Sequence, residues 1–209
     1  MRLDHVSYVA SHDQISDVVN RIGSQIGTAF VDGGIHPKFG TRNFTAPLLN
    51  SQYIEVVCPL DHPATDVTPF GKAVKKKAEE GGGWMAWVLS SKKIEGIEQE
   101  YQRKAIDGFR QKPDGTILKW KQLGVIDTLE DSRNPFYVEW ISKYHPSSDG
   151  VAKAKLIQIV INGNANSNLN YIKSNIDSNI EILFKSDTSG EFGIKEVCFI
   201  YNNKVVIID

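Results

Sequence analysis

The sequence predicts an α+β protein in which two βαβββ units in tandem are followed by a smaller α/β unit. Three observations lead there. An extended run, a helix with a polar start and further extended runs fill residues 1–62, and the same order returns over residues 80–146. Both copies close on a strand containing Tyr-x-Glu, as Tyr53-Ile54-Glu55 and as Tyr137-Val138-Glu139. Pro146-Ser147-Ser148-Asp149-Gly150 then reads as a linker, which divides the chain into residues 1–150 and 151–209.

The elements follow in order. Leu3–Val9 reads as a strand. Ser11-His12-Asp13-Gln14 has the spacing of a capping box. Behind it Ile15, Val18, Val19, Ile22 and Ile26 recur at helical period, giving an amphipathic helix whose end Gly23 and Gly27 weaken. Short extended segments near residues 29–31 and 42–48 lead to the strand Tyr53–Cys58, which Pro59 stops. A shift of 79 positions lays Ser11 on Ser90, Ile15 on Ile94, Val18 on Ile97 and His5 on Trp84. Trp84–Leu89 is therefore a second opening strand, followed by a second capped helix. Pro113-Asp114-Gly115 turns the chain into Thr116–Leu123, and Phe136–Ile141 closes the unit. An apolar stripe, a cap and a strand glutamate that recur together indicate a duplication.

The tail repeats the order more loosely. Lys155–Ile161 is a strand, and a helix carrying Leu169, Ile172 and Ile176 follows. Glu181–Phe184, Ile194–Tyr201 and Lys204–Ile208 are three more strands, with Asn202-Asn203 as a hairpin turn. A degenerate third βαβββ unit would have this order. Packing or oligomerisation is its expected role.

Composition narrows the partners. Hydrophobic residues make up 41% of the 209 and charged residues 23%, as in an ordinary soluble globular protein. With 24 Lys plus Arg against 25 Asp plus Glu, no strong field recruits nucleic acid or an anionic membrane. Lys75-Lys76-Lys77 is answered by Glu79 and Glu80 and reads as a solvated helix face. Gly81-Gly82-Gly83 precedes a strand instead of joining a strand to a helix, so it is not a phosphate loop. No apolar run approaches a membrane span, and Met1–His5 lacks the apolar core of a leader. Cys58 and Cys198 are too few for a disulfide framework. The expected partner is a small-molecule substrate or ligand, the expected compartment is the cytoplasm, and a homodimer stays open.

Seven segments carry a resemblance: Leu3-Asp4-His5-Val6, Gly33-Gly34-Ile35-His36-Pro37, Gly40-Thr41-Arg42-Asn43, Tyr53–Val57, Gly81–Trp84, Pro113-Asp114-Gly115, and Glu139-Trp140 with His145-Pro146. In order and spacing they resemble the glyoxalase-like group of the vicinal-oxygen-chelate superfamily over residues 3–146. The resemblance implies curved mixed sheets, helices on their convex faces, and concave faces that close around one pocket. It also implies one ligand from each opening strand and one from each closing strand, which carries over to His5, Glu55, Trp84 and Glu139. Three of these can bind a metal, whereas an indole nitrogen is only a donor. One imidazole and two carboxylates suit a divalent ion such as Zn²⁺, Mn²⁺, Ni²⁺ or Fe²⁺.

Two functions are then expected, and they belong to different classes. In the first, a metal activates neighbouring substrate oxygens and Glu55 or Glu139 moves the proton, as in an isomerase or lyase acting on a small carbonyl compound. In the second, His5 hydrogen-bonds Glu55 or Glu139 in a metal-free binding pocket walled by Trp84. Strand alternation is expected to put Glu55 with Tyr53, and Glu139 with Tyr137, on the pocket face, and to turn Trp87 and Trp140 toward the helices. His36 and His145, both beside proline, are pocket candidates of second rank. Arg42, Asn43 and Arg110 are candidate contacts for a substrate carboxylate or carbonyl. His12 and His62 read as cap and turn residues.

Overall fold

Strands dominate the computed structural model, which describes residues 1–164, 172, 175–176, 180–186 and 192–209. The first unit comprises β1 (Arg2–Val9), α1 (Ile15–Ile26), β2 (Val31–His36), β3 (Thr41–Leu48) and β4 (Gln52–Pro59). Two helices, α2 (Pro63–Val67) and α3 (Pro69–Glu79), lead to the second unit. That unit comprises β5 (Gly83–Ser90), α4 (Glu95–Tyr101), β6 (Ile106–Gln111), β7 (Ile117–Leu123), an inserted α5 (Val125–Glu130) and β8 (Phe136–Trp140).

The two units have the same strand order, β1-β4-β3-β2 and β5-β8-β7-β6, and join into one closed eight-stranded barrel. In each, the opening strand lies parallel to the closing one. The ring closes unequally. β1 and β5 pair antiparallel from Arg2–Ser90 to Val9–Gly83, whereas β2 and β6 meet at Ile35–Gln111 alone. At that second seam Gly34, at φ 97°, has no Cβ to collide with the Gln111 carbonyl.

The correspondence between the units differs from the 79-residue shift. His5 lies beside Tyr53 and Val88 beside Phe136, the same register of 48 residues, and His5 and Val88 are themselves paired across β1 and β5. His5 therefore matches Val88, not Trp84, and Glu55 matches Val138, not Glu139. Two irregularities in the β1–β5 pairing, between Leu3 and His5 and between Ser7 and Tyr8, help break the simple count.

The expected caps also shift. α1 starts at Ile15 with no side-chain cap, while Gly27, left-handed at φ 65°, ends it through a bond to the Gly23 carbonyl. Ser90 lies buried at the end of β5, and the amide of Ile94 at the start of α4 donates to Glu139 at 2.8 Å. Glu139 thus does the work expected of a serine cap.

The tail forms a second sheet from β9 (Lys155–Asn162), β10 (Glu181–Lys185), β11 (Gly193–Tyr201) and β12 (Lys204–Ile208). Asn202 and Asn203, at φ 50° and 58°, make the hairpin turn between β11 and β12. The order is β10-β9-β11-β12, with β9 parallel to the strand that follows it. In the barrel units the first strand is parallel to the last, so the tail is not a third copy of them. Ile172 is buried and its carbonyl accepts from Ile176, while Leu169 lies outside the described residues. The inner face of this sheet, with Leu156, Val197, Phe199 and Ile208, shares one core with Val6, Trp84, Trp87 and Ile22 of the barrel and α1. Trp84 donates to the Ile208 carbonyl at 2.9 Å. No helix among the described residues is long and apolar enough to cross a membrane.

Candidate functional site

Side chains alternate across each strand, so the barrel sorts its residues into an inner and an outer set. His5, His36, Asn43, Tyr53, Glu55 and Arg110 reach the interior cavity, together with Phe136, Val138 and Trp140 of β8 and Trp120 and Gln122 of β7. The centre of a water-sized sphere can occupy about 50 Å³ of it, so only a compact group fits inside.

The polar residues form one chain of contacts. The carboxylate of Glu55 accepts from Ser7 Oγ and from Asn43 Nδ2, each at 2.7 Å. The Asn43 side-chain oxygen accepts from Arg110 Nη1 at 2.9 Å, and the same nitrogen donates to the Gly33 carbonyl. A Cβ at Gly33 would collide with both the guanidinium and the Asn43 amide, so glycine is required there for Arg110 to enter. Arg110 is only 2% exposed, and its buried Nη2 has no hydrogen-bond partner among the described residues.

Beside this chain, His5 stacks on Tyr53 with ring centroids 4.4 Å apart. Its Nδ1 lies 3.1 Å from Asp4 and its Nε2 4.0 Å from Glu55. Asp4 is fully buried, and burial alone would raise its pKa. Bonds from His145 and His5 outweigh burial and hold it well below the usual carboxylate range. Trp140 Nε1 donates to it as well, at 3.0 Å, and Arg2 pairs with it at 2.9 Å. Because Asp4 is ionised it can only accept, so His5 Nδ1 and His145 Nε2 both carry the proton toward it.

Burial also opposes ionisation of Glu55, but the imidazoles of His5 and His36 and the bonds from Ser7 and Asn43 outweigh it, and its pKa is lowered. His36 responds in the opposite sense. Burial pushes its pKa down to about 4, against the attraction of Glu55, and Arg110 and His5 add to the fall. It is a neutral imidazole at pH 7, with Nδ1 at 3.0 Å from Thr41 Oγ1.

Not every expected residue arrives. Glu139 lies on the outer face of β8, bound to Ile94, because the Tyr-x-Glu of β8 is out of step with that of β4 by one residue. Trp84 is on the outer face of β5 beneath the tail sheet, so it does not wall the cavity. Trp140, expected to face helices, lines the cavity instead. Arg42 points out of β3 and pairs with Asp32, because Thr41, Asn43 and Thr45 take the inner positions. His145 fronts a separate groove with Arg2 and Lys143, and touches the cavity lining through Asp4 and the rings of Tyr53 and Trp140. Ser7 was readable as the residue two places after His5 on the same face. Phe39 and Phe70, which come from a loop and from the first turn of α3, gave no periodic signal.

The expected metal set therefore does not assemble. Glu139 faces away, both oxygens of Glu55 are engaged, and among the described residues no group of three or more His, Cys, Asp or Glu is placed to hold an ion. The cavity also already holds a buried guanidinium, which repels a second cation. The residues do not fit a divalent metal.

Comparison with known proteins settles the family. A family model described as a glyoxalase-like domain matches residues 3–172. The chain belongs to the glyoxalase-like domain family. With that family it falls in the vicinal-oxygen-chelate superfamily. Among solved structures, this glyoxalase-like protein is similar to a hypothetical protein from Staphylococcus aureus, at 18% identity and a TM-score of 0.59, over 99% of this chain and 84% of that one. It also matches the methylmalonyl-CoA epimerase from Mycobacterium tuberculosis, at 12% identity and a TM-score of 0.43, over 66% and 85% of the two chains. A hypothetical protein from Bacillus halodurans C-125 matches at 17% identity and a TM-score of 0.43, over 68% and 95%. No curated protein matches the sequence.

Proposed function

We propose that the barrel cavity is a metal-independent binding site for a small organic acid or carbonyl compound, whose oxygen is received by Arg110. The observation that carries this reading is the buried Nη2 of Arg110, which lines the cavity and has no partner among the described residues. A buried N–H left unpaired costs about 1–3 kcal/mol, more when it is charged. A ligand oxygen at that nitrogen removes the penalty, and a charge-assisted bond is about twice as strong as a neutral one. Trp120, Phe136 and Trp140 supply apolar walls, and the His5 imidazole lines the same cavity as a partner for a hydroxyl of the ligand.

The test is titration of chelator-treated protein with acetate, pyruvate and acetone, followed by NMR shift changes, beside Arg110→Lys. Lysine keeps the charge but lacks the second guanidinium nitrogen. Affinity should fall at least about tenfold in the variant, one lost charged bond. Equal binding by wild type and variant sinks the reading.

A second reading, an isomerase or lyase acting on a small carbonyl compound, is supported by an ionised Glu55 lining the same cavity as Arg110. Against it, a carboxylate whose pKa is lowered and whose two oxygens are both engaged is a weak base toward carbon. The two readings separate on one measurement. A proton-transferring enzyme exchanges deuterium from solvent into the carbon beside the bound carbonyl, and a binding protein does not.

A further inference from the structure

A second cavity adjoins the first. Phe39, Phe70, Gln122 and Val125 line both, so these four residues stand between them. The rings of Phe39 and Phe70 meet with centroids 5.3 Å apart and are only half-buried. Beyond them the outer space is several times larger than the inner one, with about 290 Å³ open to the centre of a water-sized sphere. Its walls are mostly carbon, and they include Ile106 and Ile126, which are 51% and 44% exposed. Exposed isoleucines at the mouth of an apolar cavity favour an apolar occupant.

The backbone around the aromatic pair is fixed. The Thr65 hydroxyl donates to the Gly40 carbonyl at 2.6 Å, and the amides of Phe39 and Gly40 both donate to the His36 carbonyl at 3.0 Å. On the other side Thr68 accepts from the Gly71 amide at the start of α3, and Gly71 has no Cβ to strike the Phe39 carbonyl. These bonds hold the chains that carry the two rings. The cations at the rim do not make the outer space an anion site. Arg103 is paired with Asp127 and Lys104 with Glu98, and Lys38 lies over the Phe39 ring.

We infer that the ligand is amphiphilic, with a carboxylate head at Arg110 and a hydrocarbon or aromatic tail that passes Phe39 and Phe70 into the outer cavity. This rests on the head-binding reading above and adds the chemical class of the rest of the molecule. The inner cavity admits the head alone, and the outer cavity offers carbon surface in line with it. Chain length is then the specificity coordinate of the site, and the aromatic pair is its checkpoint.

The test titrates the full chain with acetate, butanoate, hexanoate and octanoate below their micelle concentrations, read by NMR shift changes. Affinity should rise by about fourfold for each methylene that enters the outer cavity. Ile126→Glu should weaken octanoate at least tenfold and leave acetate within twofold. Ile106→Gln, at a second exposed wall position, should act the same way more mildly and guards against a folding defect in the first variant. Affinity that stays flat with length, or an octanoate affinity that neither variant changes, overturns the inference while acetate binding through Arg110 stands. Acetate binding that is absent, or indifferent to Arg110→Lys, overturns the head reading and this inference with it.

Discussion

The two halves of the barrel share a topology but not a chemistry. The first half contributes His5, Ser7, His36, Asn43 and Glu55, linked by hydrogen bonds or close approach. The second contributes Trp120, Phe136, Val138 and Trp140, with Gln122 bound to its own neighbour Trp120. Arg110 is the exception, a cation from the second half whose partners, Gly33 and Asn43, both belong to the first. At matching places on the closing strands stand Glu55 and Val138. Tyr53 and Phe39 add rings to the first half, but its hydrogen-bonding side chains outnumber those of the second, and the symmetric fold therefore holds an asymmetric site. A symmetric pair of carboxylates would have invited a metal, whereas one carboxylate and one guanidinium leave a nearly neutral cavity with a direction.

The largest test of this contrast removes the one residue that crosses it. Arg110→Met removes the donor to the buried Asn43 oxygen and the Gly33 carbonyl, and leaving those acceptors without it should cost about 1–3 kcal/mol in denaturant unfolding. A loss below about 1 kcal/mol would mean that the polar half does not depend on the cation from the other side.

An intermediate effect comes with acid. His36 titrates at about 4 in the folded protein against an ordinary 6.5, so between those values the unfolded chain binds more protons. Stability is complete above the higher value and falls as pH drops toward the lower one, by up to about 1.4 kcal/mol per pH unit. Glu55 and Asp4, whose pKa values are lowered, keep their contribution above the ordinary carboxylate range and lose it as pH falls through their folded values. His36→Asn should abolish the loss in the first window and narrow the second, because the His36 imidazole is one of the groups that lower Glu55. Unfolding curves at pH 7, 5.5 and 4.5 decide the matter.

The smallest effect sharpens the comparison of the two glutamates. Glu139→Ala removes a helix cap on the outer face, so it should cost about 1 kcal/mol of stability. Acetate affinity should not change, and a change in it would put Glu139 back in the site.

The strand and helix inventory was legible because strand alternation, helical period and turn residues are local signals. Asn202-Asn203, for example, marked its hairpin without help from the rest of the fold. His5, His36, Asn43, Glu55 and Arg110 all line the cavity, and each was a candidate from sequence. The errors came from register, which is not local. One residue of difference between offsets turns Glu139 out and Trp140 in, and irregular pairing in β1 and β5 moves Trp84 from the inner to the outer face. The outer face of β5 looked available to a helix, yet it is covered by the tail sheet, a partner that the motif pattern did not anticipate. Arg42 was drawn inward by its neighbour Asn43 in the motif, although adjacent residues on a strand point to opposite sides.

The unequal seams of the barrel make it less a pipe than a bracelet. Along β1 and β5 the links run the length of the strands, while β2 and β6 meet at a single clasp, Ile35 with Gln111. Breathing is cheapest where the fewest backbone bonds must part. The clasp also neighbours Arg110, one residue before Gln111, and His36, one residue after Ile35, so its loosening would wet two of the groups that make the interior polar. The occupant that satisfies Arg110 from within would also fasten the clasp from within, and the filled protein should be stiffer there than the empty one.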